Sequence, residues 1–298
     1  MEYANQDTRT AAQVVVFDFD GTVIAGQSGF LFAAYLYRQH ISSLMRTIRL
    51  AWWGIRYKFH LPQRQEEARE LVMGALTEMD VAQANQVMQA FYQDVIASRF
   101  RPEALLAAKQ HHDMGRVVLL VSATFVPIAE RAAEYLGADD FMATQMQVAD
   151  GHYTTRVLGS VVEGVEKPRA VENWCNEHLG TGAWEIVDAY GDHYSDVPLL
   201  GMAQNAHAVC PGPTLVKIAR QRGWEILNWS SAEAPKQPSA GSVSQQPMDS
   251  LVDESSELPK KCNLSLICVA CERAVLIGGL RRTNTWRFQE RQTMLCVF

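Results

Sequence analysis

The sequence predicts an α/β protein with a doubly wound parallel sheet. Short apolar runs typical of buried strands alternate with segments of helical periodicity along most of its 298 residues. Polar and charged residues follow directly after three of these runs. In open α/β sheets the carboxyl ends of the strands form the edge where ligands bind, so these residues predict a site at that edge.

The first predicted strand, Val14–Phe17, leads directly into Asp18, Asp20 and Gly21. Alternate residues of a strand point to the same side, so the two aspartates can share one side of the chain. Two carboxylates that leave a buried strand together are costly unless a cation or a proton holds them. The pattern suits a divalent metal and a carboxylate nucleophile. The alternative is a pair of aspartates that cap a surface turn.

Residues 28–100 are predicted to be mostly helical, with Leu61-Pro62 separating two helical blocks. Residues 38–64 include no acidic side chain, and their cationic and interleaved aromatic residues are Arg38, Arg46, Arg49, Arg56, Lys58, Arg64, Trp52, Trp53, Tyr57 and Phe59. Three interpretations of this basic aromatic segment stay open. It attracts an anionic substrate, it lies on an anionic membrane, or it packs its aromatic side chains within a helical layer and exposes a solvated basic face.

A second predicted strand, Val117–Val121, ends at Ser122. Ser122 and the amides of Ala123 and Thr124 are predicted to lie at the turn into a helix over Pro127–Leu136. Backbone N–H groups at such a turn point outward and favour a phosphate.

A turn signal at residues 149–151 predicts a hairpin over residues 145–157. Lys167 follows, just before Pro168 at the start of a helix that runs to Leu179. A lysine in this position could balance the charge of a transferring phosphoryl group. The alternative is a solvated surface charge.

A third predicted strand, Glu185–Ala189, runs into Asp192, His193 and Asp196. The two aspartates are either part of the site or charges that cap a helix N-terminus. His193 is either a substrate contact or an exposed loop histidine. A short strand, a helix and a last strand complete the alternation over residues 206–227.

Four motifs in this order, D-x-D-G-T, S-A-T, a single lysine and G-D-x-x-x-D, resemble the haloacid dehalogenase superfamily of phosphatases and phosphotransferases. The resemblance covers residues 13 to 229. The helical character of residues 24–100 resembles the subgroup with a cap inserted after the first motif, which includes phosphoserine phosphatase and bacterial hydrolases of poorly defined substrate. Residues 189–200 are more similar to the bacterial set.

This resemblance implies a catalytic core over residues 13–24 and 101–229 with a helical cap over residues 25–100. It implies that Asp18 attacks phosphorus to form an aspartyl-phosphate, while Asp20 protonates the leaving oxygen and later accepts a proton from water.

The resemblance also implies a Mg²⁺ ion held by Asp18, the main-chain carbonyl of Asp20, and Asp192. Asp196 would orient this site without binding the ion. Ser122, Ala123 and Lys167 would bind the phosphate.

Gln27 departs from the pattern of phosphoserine phosphatase, which has a glutamate there for the substrate's amino group. A buried ammonium would lack its counter-charge at a neutral Gln27, so phosphoserine is expected to be a poor substrate.

Composition limits the other possibilities. The net charge of −6 argues against a nucleic-acid partner for the whole chain. Six cysteines without a signal peptide or a membrane-length apolar run predict a reducing cytoplasm, with the basic aromatic segment as a possible peripheral membrane contact.

Beyond residue 229 the composition changes. Residues 230–260 are rich in Ser, Pro, Gln and Ala and predict a disordered linker. The tail over residues 261–298 has no assigned role; its cysteines are either zinc ligands or part of a loosely docked segment, and they are Cys262, Cys268, Cys271 and Cys296.

Three functions follow from these observations. The first is a Mg²⁺-dependent phosphomonoester hydrolase acting on a small or lipid-linked phosphate. The second is a phosphotransferase of the same chemistry, in which an alcohol replaces water. The third is a membrane- or protein-binding module whose catalytic residues are incidental.

Overall fold

A parallel sheet forms the centre of the computed structural model, which describes residues 11–58 and 65–230. The strands of the described residues are β1 Ala12–Asp18, β2 Val117–Phe125, β3 Asp140–Thr144, β4 Met146–Ala149, β5 His152–Val157, β6 Trp184–Gly191, β7 Asn205–Val209 and β8 Glu225–Leu227. Six of them form the sheet in the order β3-β2-β1-β6-β7-β8, and all its neighbours are parallel. Strands β4 and β5 form a separate antiparallel hairpin.

Helices cover the segments between these strands. They are α1 Ser28–Arg38, α2 Leu44–Lys58, α3 Gln65–Met73, α4 Val81–Phe91, α5 Pro102–Asp113, α6 Val126–Leu136, α7 Glu166–His178, α8 Val197–Leu200 and α9 Pro213–Arg222 within the described ranges. A π-helical turn at Tyr92–Ile96 and a 3₁₀ turn at Ala97–Arg99 follow α4. The predicted fold class is therefore confirmed.

Strand β1 lies at the centre of the sheet because it is apolar on both sides. Val15, Phe17 and Phe19 pack in one core cluster, while Val14 and Val16 pack in another on the opposite face. The two aspartates that follow alternate with the phenylalanines along the chain. They therefore point to the opposite side from the phenylalanines, as the sequence predicts.

The register of β1 brings three strand ends together. Asp18 pairs with Val121 of β2, and Phe17 pairs with Tyr190 of β6. The residues that follow Val121 and Tyr190 therefore lie beside Asp18, at the point where the strand order reverses on the two sides of β1.

Helices α1 to α4 form a layer inserted between β1 and β2. Phe32 of α1 is fully buried, with ring centroids 4.8 Å from Phe91 of α4 and 6.3 Å from Phe125 of β2. The β4–β5 hairpin packs on the same layer: Val81 N donates to Gly151 O at 3.0 Å, and Tyr153 Oη donates to Asn85 Oδ1 at 2.8 Å. The predicted bounds of core and cap remain predictions.

One local prediction is wrong and one strand was missed, and the two have the same cause. The turn expected at Ser122 is absent, because β2 continues to Phe125 and α6 begins at Val126. Strand β3 was not predicted, since it is short and only partly buried. Phe125 pairs with Thr144 of β3, so a neighbour that the sequence analysis missed extends the second strand.

The hairpin prediction is confirmed. Asp150 and Gly151 connect β4 and β5, and both have positive φ, +50° and +77°. Two central residues with positive φ are typical of the two-residue turns that match the twist of paired strands.

Several predictions concern residues outside the described ranges. These are the Leu61-Pro62 break, the linker over 231–260, the tail over 261–298 and its cysteines. Among the helices of the described residues, none is long and apolar enough to cross a membrane.

Candidate active site

Asp18 is the last residue of β1, and its carboxylate is held from two sides. Oδ1 lies 2.5 Å from Nζ of Lys167, and Oδ2 accepts a hydrogen bond of 3.0 Å from Thr22 Oγ1. Burial raises the pKa of Asp18 to about 7, although the Lys167 charge opposes that shift. The residue is almost fully enclosed, so its charge depends on a nearby cation.

Asp20 is held by the first residue of α1. Ser28 N donates to Asp20 Oδ1 at 2.6 Å, and Ser28 Oγ donates to Oδ2 at 2.9 Å. The hydroxyl of Ser28 also shares a hydrogen bond of 3.0 Å with Thr124 Oγ1. Burial raises the pKa of Asp20 to about 6, while the bonds from Ser28 lower it. A carboxyl group with such a pKa can both give and accept a proton near neutral pH.

Lys167 joins two of the carboxylates. It lies in the first turn of α7 and is 5% exposed, and its Nζ is 2.5 Å from both Asp18 Oδ1 and Asp196 Oδ1. Burial alone would lower the pKa of Lys167, but the two carboxylates hold it above its ordinary value. The alternative of a solvated surface lysine is therefore wrong.

Asp192 and Asp196 follow the end of β6. Asp196 closes the 3₁₀ turn Tyr194–Asp196, and its Oδ2 accepts a bond of 3.1 Å from His193 N. Burial, together with the charges of Asp18 and Asp196, raises the pKa of Asp192 to about 8.

Carboxylate oxygens of Asp18, Asp192 and Asp196 all lie within 4.8 Å of one another. Buried carboxylates this close repel one another, and one lysine cannot balance all of them. The donor set consists of oxygen atoms only, which is the set that a hard divalent cation such as Mg²⁺ prefers. The residues present therefore fit a magnesium ion.

The end of β2 differs from the prediction of free amides. Thr124 N donates to Ser122 Oγ at 3.0 Å, so this amide already has a partner. Ser122 is buried and is not part of the cavity lining, whereas Ala123 and Thr124 line the cavity.

A cavity of about 330 Å³ opens on the carboxylate cluster. The helical layer supplies most of its apolar wall, and Phe125 and Ile128 supply the rest. The apolar residues from α1 to α3 are Phe30, Phe32, Leu50, Trp53, Ala68 and Val72. Adjacent residues of the basic aromatic segment thus have different surroundings: Trp53 lines the cavity and is 9% exposed, while Trp52 is 56% exposed.

Gln27 and His193 both line this cavity. Gln27 precedes α1, and its side chain makes no capping bond to that helix. His193 Nδ1 lies 2.9 Å from Ser195 Oγ, and burial lowers the pKa of the imidazole.

An ion pair that the sequence analysis missed also lines the cavity. Arg69 of α3 donates to Glu163 Oε2 at 2.8 Å, and Glu163 precedes the helix that carries Lys167. The two residues are 94 positions apart, so no local pattern connects them. Ser28 was missed for a similar reason, because a serine at a helix start is a common cap.

Comparisons with known proteins agree on one family. A model described as haloacid dehalogenase-like hydrolase matches residues 15–201. The chain is 28% identical over 220 residues to a phosphoserine phosphatase of Mycobacterium tuberculosis, covering 72% of this chain and 70% of that protein. It is 25% identical over 232 residues to a histidinol-phosphatase of Neisseria meningitidis, covering 72% of this chain and 98% of that protein.

A solved structure is also similar to the chain. A protein of unknown function from Bordetella pertussis superposes with a TM-score of 0.67 at 27% identity, covering 74% of this chain and 99% of that one.

Proposed function

The chain belongs to the haloacid dehalogenase-like hydrolases, and from this membership and the geometry of its site we propose that it is a Mg²⁺-dependent phosphomonoester hydrolase with Asp18 as the nucleophile. The observation that carries the proposal is the shared lysine. Lys167 holds Asp18 and Asp196 while Ser28 holds Asp20, so the two aspartates of the first motif are in different protonation environments.

The reaction would proceed in two displacements. A carboxylate oxygen of Asp18 attacks phosphorus, the bond from phosphorus to the alcohol oxygen breaks, and Asp20 gives its proton to that oxygen. Water then attacks the phosphoryl group on Asp18, Asp20 accepts a proton from the water, and inorganic phosphate leaves. The Lys167 cation, 2.5 Å from Asp18, favours the charged form that attacks, while burial raises the pKa of Asp20 and favours a carboxyl group that can carry the proton.

Asp18, the main-chain carbonyl of Asp20, and Asp192 would hold the magnesium ion. The ion would supply positive charge that offsets the charge of the phosphoryl group. Asp196 would act on this site through its bond to Lys167, which it shares with Asp18. Lys167 and the backbone at Ala123 would bind the phosphoryl oxygens.

The cavity supports a small or lipid-linked phosphate as the substrate. Its wall is mainly aliphatic and aromatic, so it favours an alcohol with an apolar portion. The cavity wall also includes the ion pair of Arg69 and Glu163. A polar group of the substrate would either displace one partner of this pair or bind both of them.

The test compares the purified chain with its Asp18→Asn variant on p-nitrophenyl phosphate and on a panel of phosphometabolites. Asparagine has the same shape but lacks the carboxylate charge needed for attack, so we expect loss of turnover by at least about a thousandfold in a chain that still folds. Full turnover in the variant would overturn the assignment of the nucleophile.

Two further measurements test the metal and the intermediate. Excess chelator should abolish turnover, Mg²⁺ should restore it, and Ca²⁺ should not, since its larger coordination shell misplaces the reacting groups. Acid quenching during turnover should leave one phosphoryl group on a peptide containing Asp18.

The ratio of the products separates a hydrolase from a phosphotransferase. Equal release of alcohol and inorganic phosphate would identify hydrolysis, whereas a deficit of phosphate in the presence of an added alcohol would identify phosphoryl transfer.

A further inference from the structure

Helix α2 exposes apolar side chains on the side that faces away from the core. Leu44, Met45, Ile48 and Trp52 are each more than half exposed, at 59%, 60%, 52% and 56%. Their spacing of three, four and seven residues places them on one face of the helix. We call these four residues and Arg49 the α2 outer face.

The sequence around this face is rich in positive charge. The sequence has no acidic residue between Asp20 and Glu66, a stretch with six arginine and lysine residues in a chain of net charge −6. Arg38 and Arg49 are exposed, whereas Arg56 is paired with Glu67 at 2.6 Å. The α2 outer face is therefore an apolar strip accompanied by two exposed arginines, Arg38 and Arg49, which form no ion pair within the described residues.

This combination fits one class of partner. A second copy of the chain would place like charges against each other, and a nucleic acid would leave the apolar strip without a partner. An anionic bilayer satisfies both features, because lipid chains accept the apolar side chains while the headgroups attract the arginines. Tryptophan in particular favours the interfacial region of a membrane.

We propose that the α2 outer face docks on an anionic lipid bilayer, with helix α2 lying in the plane of the headgroups. The opposite side of the helix carries Leu50 and Trp53, which line the cavity, and Phe30 both lines the cavity and is 51% exposed. Docking would thus bring the cavity near the headgroups. The docking itself does not depend on the proposed phosphatase function.

Vesicle sedimentation with the full chain tests the proposal. We expect binding to vesicles containing phosphatidylglycerol, weakening as salt is added, and no binding to phosphatidylcholine alone. A double variant, Ile48→Asn with Trp52→Ser, should lose affinity for these vesicles by at least about tenfold, because it removes apolar anchors from the helix. Arg38→Gln and Arg49→Gln should each weaken binding about fivefold.

The matched control is Leu106→Ser on α5, where the leucine is 56% exposed, as Trp52 is. This variant should bind anionic vesicles as the unaltered chain does. The double variant should keep its thermal midpoint and its turnover of p-nitrophenyl phosphate, which shows that the fold is intact.

Asp18→Asn should bind vesicles normally, so loss of catalysis and loss of docking remain separate outcomes. Equal binding by the double variant and the unaltered chain would overturn the proposal. Absence of vesicle binding, together with dimers in size-exclusion chromatography that the double variant abolishes, would also overturn it and identify a second copy as the occupant.

Discussion

Gly21 lies directly against the carboxylate of Asp192. A Cβ atom at residue 21 would be 1.9 Å from Asp192 Oδ2, and the backbone there has a φ of +78°. Only glycine fits this position, because a side chain would meet both the carboxylate and an unfavourable backbone conformation. The loop after β1 can therefore approach the end of β6 closely enough to bring Asp18 and Asp192 into one site.

Gly21→Ala is predicted to displace Asp192 and reduce turnover by at least about a hundredfold, because Asp18 and Asp192, the proposed metal ligands, would lose their relative positions. Backbone strain should also cost about 1–2 kcal/mol of unfolding free energy. The measurements are kcat, the Mg²⁺ concentration for half-maximal activity, and urea denaturation.

Gly137→Ala provides the matched control. Gly137 also has a φ of +78°, but a Cβ there would have no neighbour within 4 Å. It should show the same loss of stability with normal turnover and normal Mg²⁺ dependence. If the two variants lose activity equally, the contact with Asp192 is not the cause.

A chain ending at residue 232 is predicted to keep full turnover, whereas one ending at residue 228 should lose activity and stability. Arg101 donates to the carbonyls of Trp229 and Ser230 at 3.2 and 2.7 Å and to Gly21 O at 3.1 Å. The shorter chain lacks the first two partners, so the support of the Gly21 loop weakens. Turnover of p-nitrophenyl phosphate and thermal midpoints compare the two chains.

The longer truncation also tests whether residues 233–298 are needed. A folded but inactive chain ending at residue 232 would show that these residues contribute to catalysis.

His111 is predicted to lower stability as the pH falls below about 6.5, while the buried carboxyl groups of the site, whose pKa values are raised, act in the opposite direction. Burial lowers the pKa of His111, and Arg116 lowers it further, while Asp188 opposes the shift. The ring lies 2.9 Å from Tyr190 Oη and 3.0 Å from Arg116 Nη1. The folded chain thus binds this proton less tightly than the unfolded chain does. The contribution of His111 to stability is therefore complete above the pKa that this histidine has in the unfolded chain, and it is lost as the pH falls below that value.

His111→Gln should reduce this loss, since glutamine is polar but does not titrate. The measurement is the urea midpoint at several values between about pH 5 and pH 8. His178→Gln, at an exposed position on α7, is the control for the replacement of a histidine as such. An identical pH profile for His111→Gln and the unaltered chain would show that His111 does not contribute to the pH dependence of stability.

Phosphoserine is predicted to be a poor substrate, and Gln27→Glu should improve it. Gln27 lines the cavity but cannot supply the negative charge that a substrate ammonium needs on leaving water. The comparison is kcat/KM for phosphoserine and for an uncharged phosphomonoester in both chains. We expect about a tenfold gain that is specific to phosphoserine.

Arg69→Gln extends this comparison by releasing Glu163 from its ion pair. If phosphoserine is the best substrate of the unaltered chain, the interpretation of Gln27 is wrong, and the Arg69 and Glu163 charges become the candidates for binding the amino acid groups.

The sequence by itself determined the elements that local chemistry controls. Apolar runs and their alternation predicted β1, β2 and β6, and the phase of Asp18 and Asp20 followed from a period of two. The turn at Asp150 and Gly151 was predicted for the same reason, because the φ angles that a residue can adopt depend on its own side chain and not on distant partners.

Only the tertiary structure decided what depends on distant partners. Phe125 continues β2 because Thr144 lies opposite, Ser28 holds Asp20 because α1 begins beside it, and Arg69 meets Glu163 across 94 positions. Trp52 and Trp53 are adjacent and chemically identical, yet one is exposed and the other lines the cavity. A helix rotates by about 100° per residue, so packing of α2 against its neighbours decides which of the two faces solvent.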